Sequence, residues 1–254
     1  MTNSGFGVTI VTGASSGLGA GMARELARRG HELALFARRA DKLQSLADEV
    51  ETESGVAVTA HSLDVTDHDA VFAQFRSVSQ DRGGLARVVV NAGIGKGARV
   101  GTGRFAANRD TLATNVIAAL AQIEAAMEIF YEQGHGQLVV MSSVTSGRGL
   151  PGPMNAYAAG KSAVTHIADG VRLDVAQRKS PIRITTLHPG YIDSEMQDRT
   201  GRRHRLQVDA DTGARALVDA IERGRGSECV PRWPWTAYRL VVDHAPRRIL
   251  TRIL

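Results

Sequence analysis

Cysteine is nearly missing from this chain: Cys229 stands alone among 254 residues. A disulfide framework within the chain is therefore excluded, and a reducing, cytoplasmic setting is expected. No run of 18 apolar residues occurs, which argues against a spanning helix. The opening MTNSGFGVTIV has no basic stretch ahead of its apolar residues, which argues against a secretory signal. Proline is sparse, at seven residues, and no linker, repeat or low-complexity tract divides the chain. One domain spanning 1–254 is expected. Lysine is scarce too: only Lys42, Lys96, Lys161 and Lys179 among 31 basic residues. Arginine thus dominates the net charge of +5 and the pI of about 9.8. That balance first points to nucleic acid or another anionic partner. The arginines are scattered over most predicted helices and no recognisable module accompanies them, so nucleic acid is not an expected partner.

The hydrophobic share of 43% and charged share of 22% suffice for a sizeable buried core. Short β-branched runs alternate with longer stretches of helical period. Strands are expected at Gly7–Val11, Glu32–Phe36, Val56–Ala60, Arg87–Val90, Gln137–Met141 and Ile182–Leu187. Between the first two, Leu18, Met22 and Leu26 share a helix face that ends at Gly30. Asp41 and Asp67 are expected to cap the next helices, and longer ones are expected over Asp110–Tyr131, Ala156–Arg178 and Asp211–Arg223. This alternation predicts an α/β fold: a doubly wound parallel sheet of about seven strands, Rossmann-type, with helices on both faces.

Glycine is concentrated near residues 5–21 and 93–103. The first cluster contains Thr12-Gly13-Ala14-Ser15-Ser16-Gly17-Leu18-Gly19, between a strand and a helix. There the backbone must come close to a pyrophosphate, and the helix N-terminus supplies N–H groups and a positive dipole end. Gly13 permits the tight turn, Gly17 admits the ligand, and Gly19 lets the helix pack on the strand, with Ser15, Ser16 and Leu18 beside them. The second strand ends Ala37-Arg38-Arg39, with no acid before Asp41. Guanidinium groups there match a 2′-phosphate, so NADP(H) is expected in preference to NAD(H). The Gly93–Gly103 stretch, with Lys96 and Arg99, either flanks the cofactor or is a flexible loop; the loop is favoured. No metal site is expected.

Tyr157 and Lys161 are four apart on a predicted helix, so they share a face. An ammonium beside a phenol favours phenolate and makes an acid/base group usable near neutral pH. A serine from Ser142-Ser143, at the end of the fifth strand, can hydrogen-bond a carbonyl oxygen as charge builds there.

With these motifs in this order, the chain resembles the short-chain dehydrogenase/reductase family from Gly7 to about Met196. The resemblance also rests on Asp64-Val65, Asn91-Ala92-Gly93, Asn115 and Pro189-Gly190. It implies that Tyr157 exchanges a proton with the substrate oxygen and that Ser143 polarises that oxygen. Lys161 would hold the nicotinamide ribose and lower the tyrosine pKa, and Asn115 would help position a water. Asp64 and Val65 would contact adenine; Asn91, Ala92 and Gly93 would pack along the cofactor. Pro189, Gly190, Ile192 and Ser194 would bind the cofactor too, with Ile192 against the carboxamide. A homodimer or homotetramer through the long helices is implied, as is a small carbonyl or alcohol substrate. Three features depart from the family pattern: Val90 replaces the first of two asparagines, Ser194 replaces threonine, and Ser143 to Tyr157 spans 14 positions, one more than usual. The longer interval, read as an insertion in Thr145–Pro153, leaves Ser142 beside Ser143 as a candidate; Ser143 is preferred.

Residues 191–208 are expected to form a mobile substrate segment, in which Arg199, Arg202, Arg203, His204 and Arg205 either attract an anionic substrate or form a solvated lid. The lid is the favoured reading. Residues 230–254 form a basic, amphipathic ending with both tryptophans, broken at Pro246. Membrane-surface contact is one reading of it; packing on the core or on a partner subunit is favoured. The rival to an NADP-dependent enzyme is a noncatalytic NADP-binding sensor on the same fold, which has no need for Asn115, Ser143, Tyr157 and Lys161 together.

Overall fold

The computed structural model describes residues 7–194, 206–246 and 248. Its strands are β1 (Val8–Thr12), β2 (Leu33–Ala37), β3 (Val58–Ser62), β4 (Leu85–Val90), β5 (Gln137–Met141), β6 (Arg183–Pro189) and β7 (Ser227–Val230). All pair in parallel in the order β3-β2-β1-β4-β5-β6-β7. The helices are α1 (Gly17–Arg28), α2 (Ala40–Ser54), α3 (His68–Asp81), α4 (Phe105–Leu112), α5 (Ala118–Gln133), α6 (Met154–Gln177), α7 (Ala210–Arg223) and α8 (Arg232–His244). This is the doubly wound Rossmann-type sheet expected from the alternation.

The strands are apolar on both sides because both faces are covered. Val8, Ile10, Ala34, Phe36, Val88 and Val90 bury themselves with α3, α5 and α6. Their neighbours Val11, Leu33, Leu35 and Val89 bury themselves with α1, α2 and α7. Phe36 is fully buried, stacked on the His61 ring at 4.7 Å and edge-on to Phe75 at 5.4 Å. The chain winds outward from β1 to β3, then crosses back to β4 beside β1. That reversal opens a crevice at the C-terminal ends of β1 and β4.

Gly30 follows α1 with φ +85°, and Asp67 caps α3 by accepting from Ala70 N–H at 3.1 Å. Asp41 does not cap α2. The helix begins one residue earlier, with Arg39 at the cap position, and Asp41 lies in the first turn, where a carboxylate complements the helix dipole. Helix starts earlier than Asp110 as well: α4, a π turn at Ala113–Ile117 and α5 run on from Phe105 to Gln133. This run is long and apolar enough to cross a membrane by length and composition alone, and 56% of its most apolar window is buried in the protein. The seventh strand, β7, is four residues long and too short to show a period.

Candidate active site

A cavity of about 520 Å³ lies over the C-terminal ends of the central strands. The expected catalytic and cofactor residues all line it except Asn115, which is buried. Sequence reading missed Ile94, Thr145 and Met154, which line the same space with Lys96 and Tyr191.

One half of the groove is a backbone cradle. Gly13 adopts φ +65°, and a Cβ there would lie 2.8 Å from Ala92 Cα. A Cβ on Gly19 would lie 2.4 Å from the Gly13 carbonyl oxygen. Thr12 ties β1 to β4: its Oγ1 accepts from Asn91 N–H at 3.0 Å and Ala92 N–H at 3.1 Å, while Asn91 Nδ2 donates to Thr12 O at 2.8 Å. Ser16 caps α1 with no side-chain bond to the first-turn N–H groups, which leaves those donors for an anion. Arg39 reaches across from the end of β2, donating to Ser15 Oγ at 3.2 Å, to Ser15 O at 3.3 Å and to Ser16 Oγ. Arg38 lies 3.7 Å from Asp64, and both are largely exposed. Burial works against the Asp64 carboxylate, but Thr66 N–H, the Thr66 hydroxyl and Arg38 outweigh it and hold its pKa below the ordinary value. Glycines that exclude a Cβ, an open helix N-terminus and a rim of arginine fit a phosphorylated dinucleotide.

The other half holds the titratable groups. Between Ser143 and Tyr157 the chain makes a short 3₁₀ turn, Val144–Gly147, and a loop that leads into α6. Ser143 caps this turn, and its Oγ accepts from Thr145 N–H at 3.2 Å and the Thr145 hydroxyl at 2.9 Å. Ser142 faces away from the groove's chemistry: its Oγ donates to Lys161 O at 3.0 Å and lies 2.7 Å from Thr165 Oγ1. Tyr157 and Lys161 come from the first turns of α6, and Lys161 Nζ lies 5.9 Å from the Tyr157 ring centroid. Lys161 Nζ donates to Met141 O at 2.6 Å. Burial pulls the Lys161 pKa down to about 8.

The phenol differs from expectation. Burial raises the Tyr157 pKa, Tyr191 adds to the rise, and a hydrogen bond with Ser143 only partly offsets them. In this geometry desolvation of the phenolate outweighs any pull from the ammonium. Asn115 Oδ1 accepts from Ile94 N–H and its Nδ2 donates to Ile94 O, both at 2.8 Å, so its side-chain amide holds the loop after β4. A Cβ on Gly93 would lie 3.1 Å from Asn115 Oδ1 and 3.7 Å from Lys161 Nζ.

The wall beyond Tyr157 comes from distant parts of the chain. Gly190 lies on the indole of Trp235, where a Cβ would be 2.1 Å from the ring. Trp235 is fully buried, edge-on to Tyr191 at 5.4 Å and Tyr238 at 5.3 Å. Arg148 Nη1 donates to the carbonyls at the end of α8, closest to Ala245 O at 2.6 Å. His188 is buried behind Ser143, and burial pushes its pKa down to about 4. Much of the amphipathic ending is therefore part of the packed domain: Trp235 and Val242 face inward, while Trp233, Leu240 and Val241 face out. Ile192 pairs with Val208, and these two lie within the segment 191–208 expected to carry substrate contacts. Its arginines, Arg199 to Arg205, and the last apolar residues, Ile249 to Leu254, lie outside the described residues.

A family model for short chain dehydrogenase matches residues 7–205. The chain is 47% identical over 244 residues to an uncharacterized oxidoreductase of Mycobacterium tuberculosis (strain ATCC 25618 / H37Rv), covering 96% of this chain and 95% of that one. It is 35% identical over 190 residues to gluconate 5-dehydrogenase of Gluconobacter oxydans (strain 621H), covering 75% and 73%. Among solved structures it is similar to a short-chain dehydrogenase from Sphingobium yanoikuyae in complex with NADPH. The TM-score is 0.81 at 27% identity, covering 97% of this chain and 96% of the other.

Proposed function

Because the chain belongs to the short-chain dehydrogenase/reductase family, we propose that it is an NADP(H)-dependent carbonyl reductase with Tyr157 as its general acid. Membership makes it an oxidoreductase of CH–OH and C=O groups that uses a nicotinamide cofactor. The proposal adds the direction, the cofactor preference and the residues. The substrate class is a ketone, aldehyde or 3-oxoacyl thioester, with the secondary alcohol as product.

The observation that carries it is the convergence of Ser143, Tyr157 and Lys161 on the groove whose other half is the glycine cradle edged by Arg38 and Arg39. When bound, the nicotinamide supplies the hydride. Gly13 to Gly19 would hold the pyrophosphate on backbone N–H groups and the α1 N-terminus. Arg38 and Arg39 would hold a 2′-phosphate, Asp64 and Val65 the adenine end, and Asn91 to Gly93 would line the cofactor between. Pro189, Gly190, Ile192 and Ser194 would line the rest of its seat. Lys161 would hold the nicotinamide ribose from within the groove. The raised Tyr157 pKa keeps the phenol protonated across the working range, loaded to donate. Ser143 donates a hydrogen bond to the substrate oxygen, Tyr157 transfers its proton there, and the Lys161 ammonium faces the phenolate left behind.

A sensor would require none of these groups in one cavity. Exposed Phe105, Ile117 and Leu173 on the long helices favour a homodimer or homotetramer. The buried, single Cys229 fits a cytoplasmic enzyme. The decisive experiment is NADPH oxidation against a panel of carbonyl compounds, with Tyr157→Phe alongside. The variant is expected to lose roughly 10³-fold in kcat while binding NADPH as the parent does. Activity that survives the substitution overturns the mechanism.

A further inference from the structure

We propose that Thr145 is a positioning residue that makes Ser143 an obligate hydrogen-bond donor toward the substrate oxygen. The inference rests on Ser143 acting as proposed above and adds the reason its hydroxyl points the useful way.

A serine hydroxyl has one proton to give and two lone pairs to receive with. At Ser143 both lone pairs are engaged by one neighbour. Thr145 N–H donates to Oγ at 3.2 Å, and the Thr145 hydroxyl donates to the same oxygen at 2.9 Å. Only the Ser143 proton is left to face the groove. Tyr157 is its neighbour in the groove, and the interaction with Ser143 lowers the phenol's pKa against the rise from burial. Thr145 is itself buried and lines the cavity.

The peptide carrying Ser143 is held from behind as well. His188 Nδ1 lies 3.2 Å from Ser143 O and 3.1 Å from Ser146 Oγ, and His188 Nε2 lies 3.0 Å from Ser227 Oγ. A carbonyl oxygen can only accept, so neutral His188 carries its proton on Nδ1 and receives the Ser227 hydroxyl on Nε2. Thr145 holds the serine's hydroxyl and His188 holds its carbonyl. A carbonyl oxygen has no proton to give, so a site for reduction gains from a donor already aimed at it. A chain of hydroxyls ending in that donor also strengthens it.

The test is a double-mutant cycle on the full-length enzyme with NADPH and its best carbonyl substrate. Thr145→Val keeps the backbone N–H and the side-chain shape but removes the hydroxyl. It is expected to lower kcat about tenfold, the scale of one neutral hydrogen bond, with KM and the Kd for NADPH unchanged. Thr145→Ser, which keeps the hydroxyl, is expected to stay within about twofold of the parent. In a Ser143→Ala background, Thr145→Val is expected to cost nothing further. The proposal is overturned if Thr145→Val lowers kcat equally with and without Ser143, or if Thr145→Ser fails to restore it. Full activity of Thr145→Val beside an impaired Ser143→Ala overturns the proposal alone. Full activity of Ser143→Ala overturns the reading of Ser143 and this inference with it.

Discussion

The two halves of the groove are built from different materials. The cofactor half is backbone: Gly13, Gly19 and Ala92 approach so closely that no side chain fits between them. Its charged groups, Arg38 and Asp64, stand on the exposed rim. The substrate half is side chain: Tyr157 and Lys161 meet a wall of Tyr191, Trp235 and Tyr238. The first half places phosphate by geometry and loses little by being wet. The second makes proton chemistry possible by removing water, and burial moves the pKa of both Tyr157 and Lys161. The two demands are thus met over different strands, β1 to β4 on one side and β5 and β6 on the other.

The sharpest way to break this contrast is a matched pair of glycine substitutions. Gly13→Ala places a methyl 2.8 Å from Ala92 Cα at a positive φ. It is expected to raise the NADPH Kd by about 100-fold, roughly 3 kcal/mol of strain and lost contact, as read by titration. Gly190→Ala drives a methyl into the Trp235 ring. Calorimetry is expected to show a Tm drop of several degrees, from an overpacking cost of about 1–3 kcal/mol, and steady-state kinetics a raised substrate KM. If Gly190→Ala instead acts mainly on NADPH affinity, the two halves are not separate.

A smaller effect is expected at the rim. Replacing Arg38 and Arg39 together by alanine is expected to weaken NADPH binding by about 10-fold or more and leave NADH nearly unchanged. Because both arginines face solvent, added salt is expected to shrink the parent's advantage. Equal loss for the two nucleotides would remove the 2′-phosphate assignment.

The smallest expected stability effects concern Lys161. Its pKa of about 8 lies below its ordinary value of 10.5. In the window between them the unfolded chain binds more protons than the folded one, so the cost of burying this group is full below about 8 and fades as pH rises toward 10.5. Lys161→Met is therefore expected to raise the Tm near neutral pH by a few degrees while removing turnover. In the parent enzyme, kcat/KM for reduction is expected to fall as pH rises through about 8. A profile that stays flat well above that pH would detach Lys161 from the chemistry.

The same contrast governs how much could be read in advance. The glycine turn, Arg38 and Arg39, and the Tyr157–Lys161 spacing lie within single strand–turn–helix units, where residue spacing maps directly onto space. Tyr191, Trp235 and His188 meet the site only through packing of β6, β7 and α8, and no local period signals such meetings. Thr145 was within reach: a hydroxyl two positions after a turn-capping serine is a familiar local hydrogen-bonding arrangement. The shift of Tyr157 was not, because spacing reports which charge is near and nothing about how much water is gone. Asn115 was placed in the right helix, but its use by Ile94 depends on the π turn around it.

Trp235 also sets an order of manufacture. β1 to β4, which carry most of the nucleotide cradle, leave the ribosome early and can pair with one another at once. Gly190 has nothing beneath it until α8 has been made, and Arg148 has no carbonyls to hold until synthesis reaches Ala245. The newborn chain therefore acquires its nucleotide seat well before the wall that shapes the reacting end.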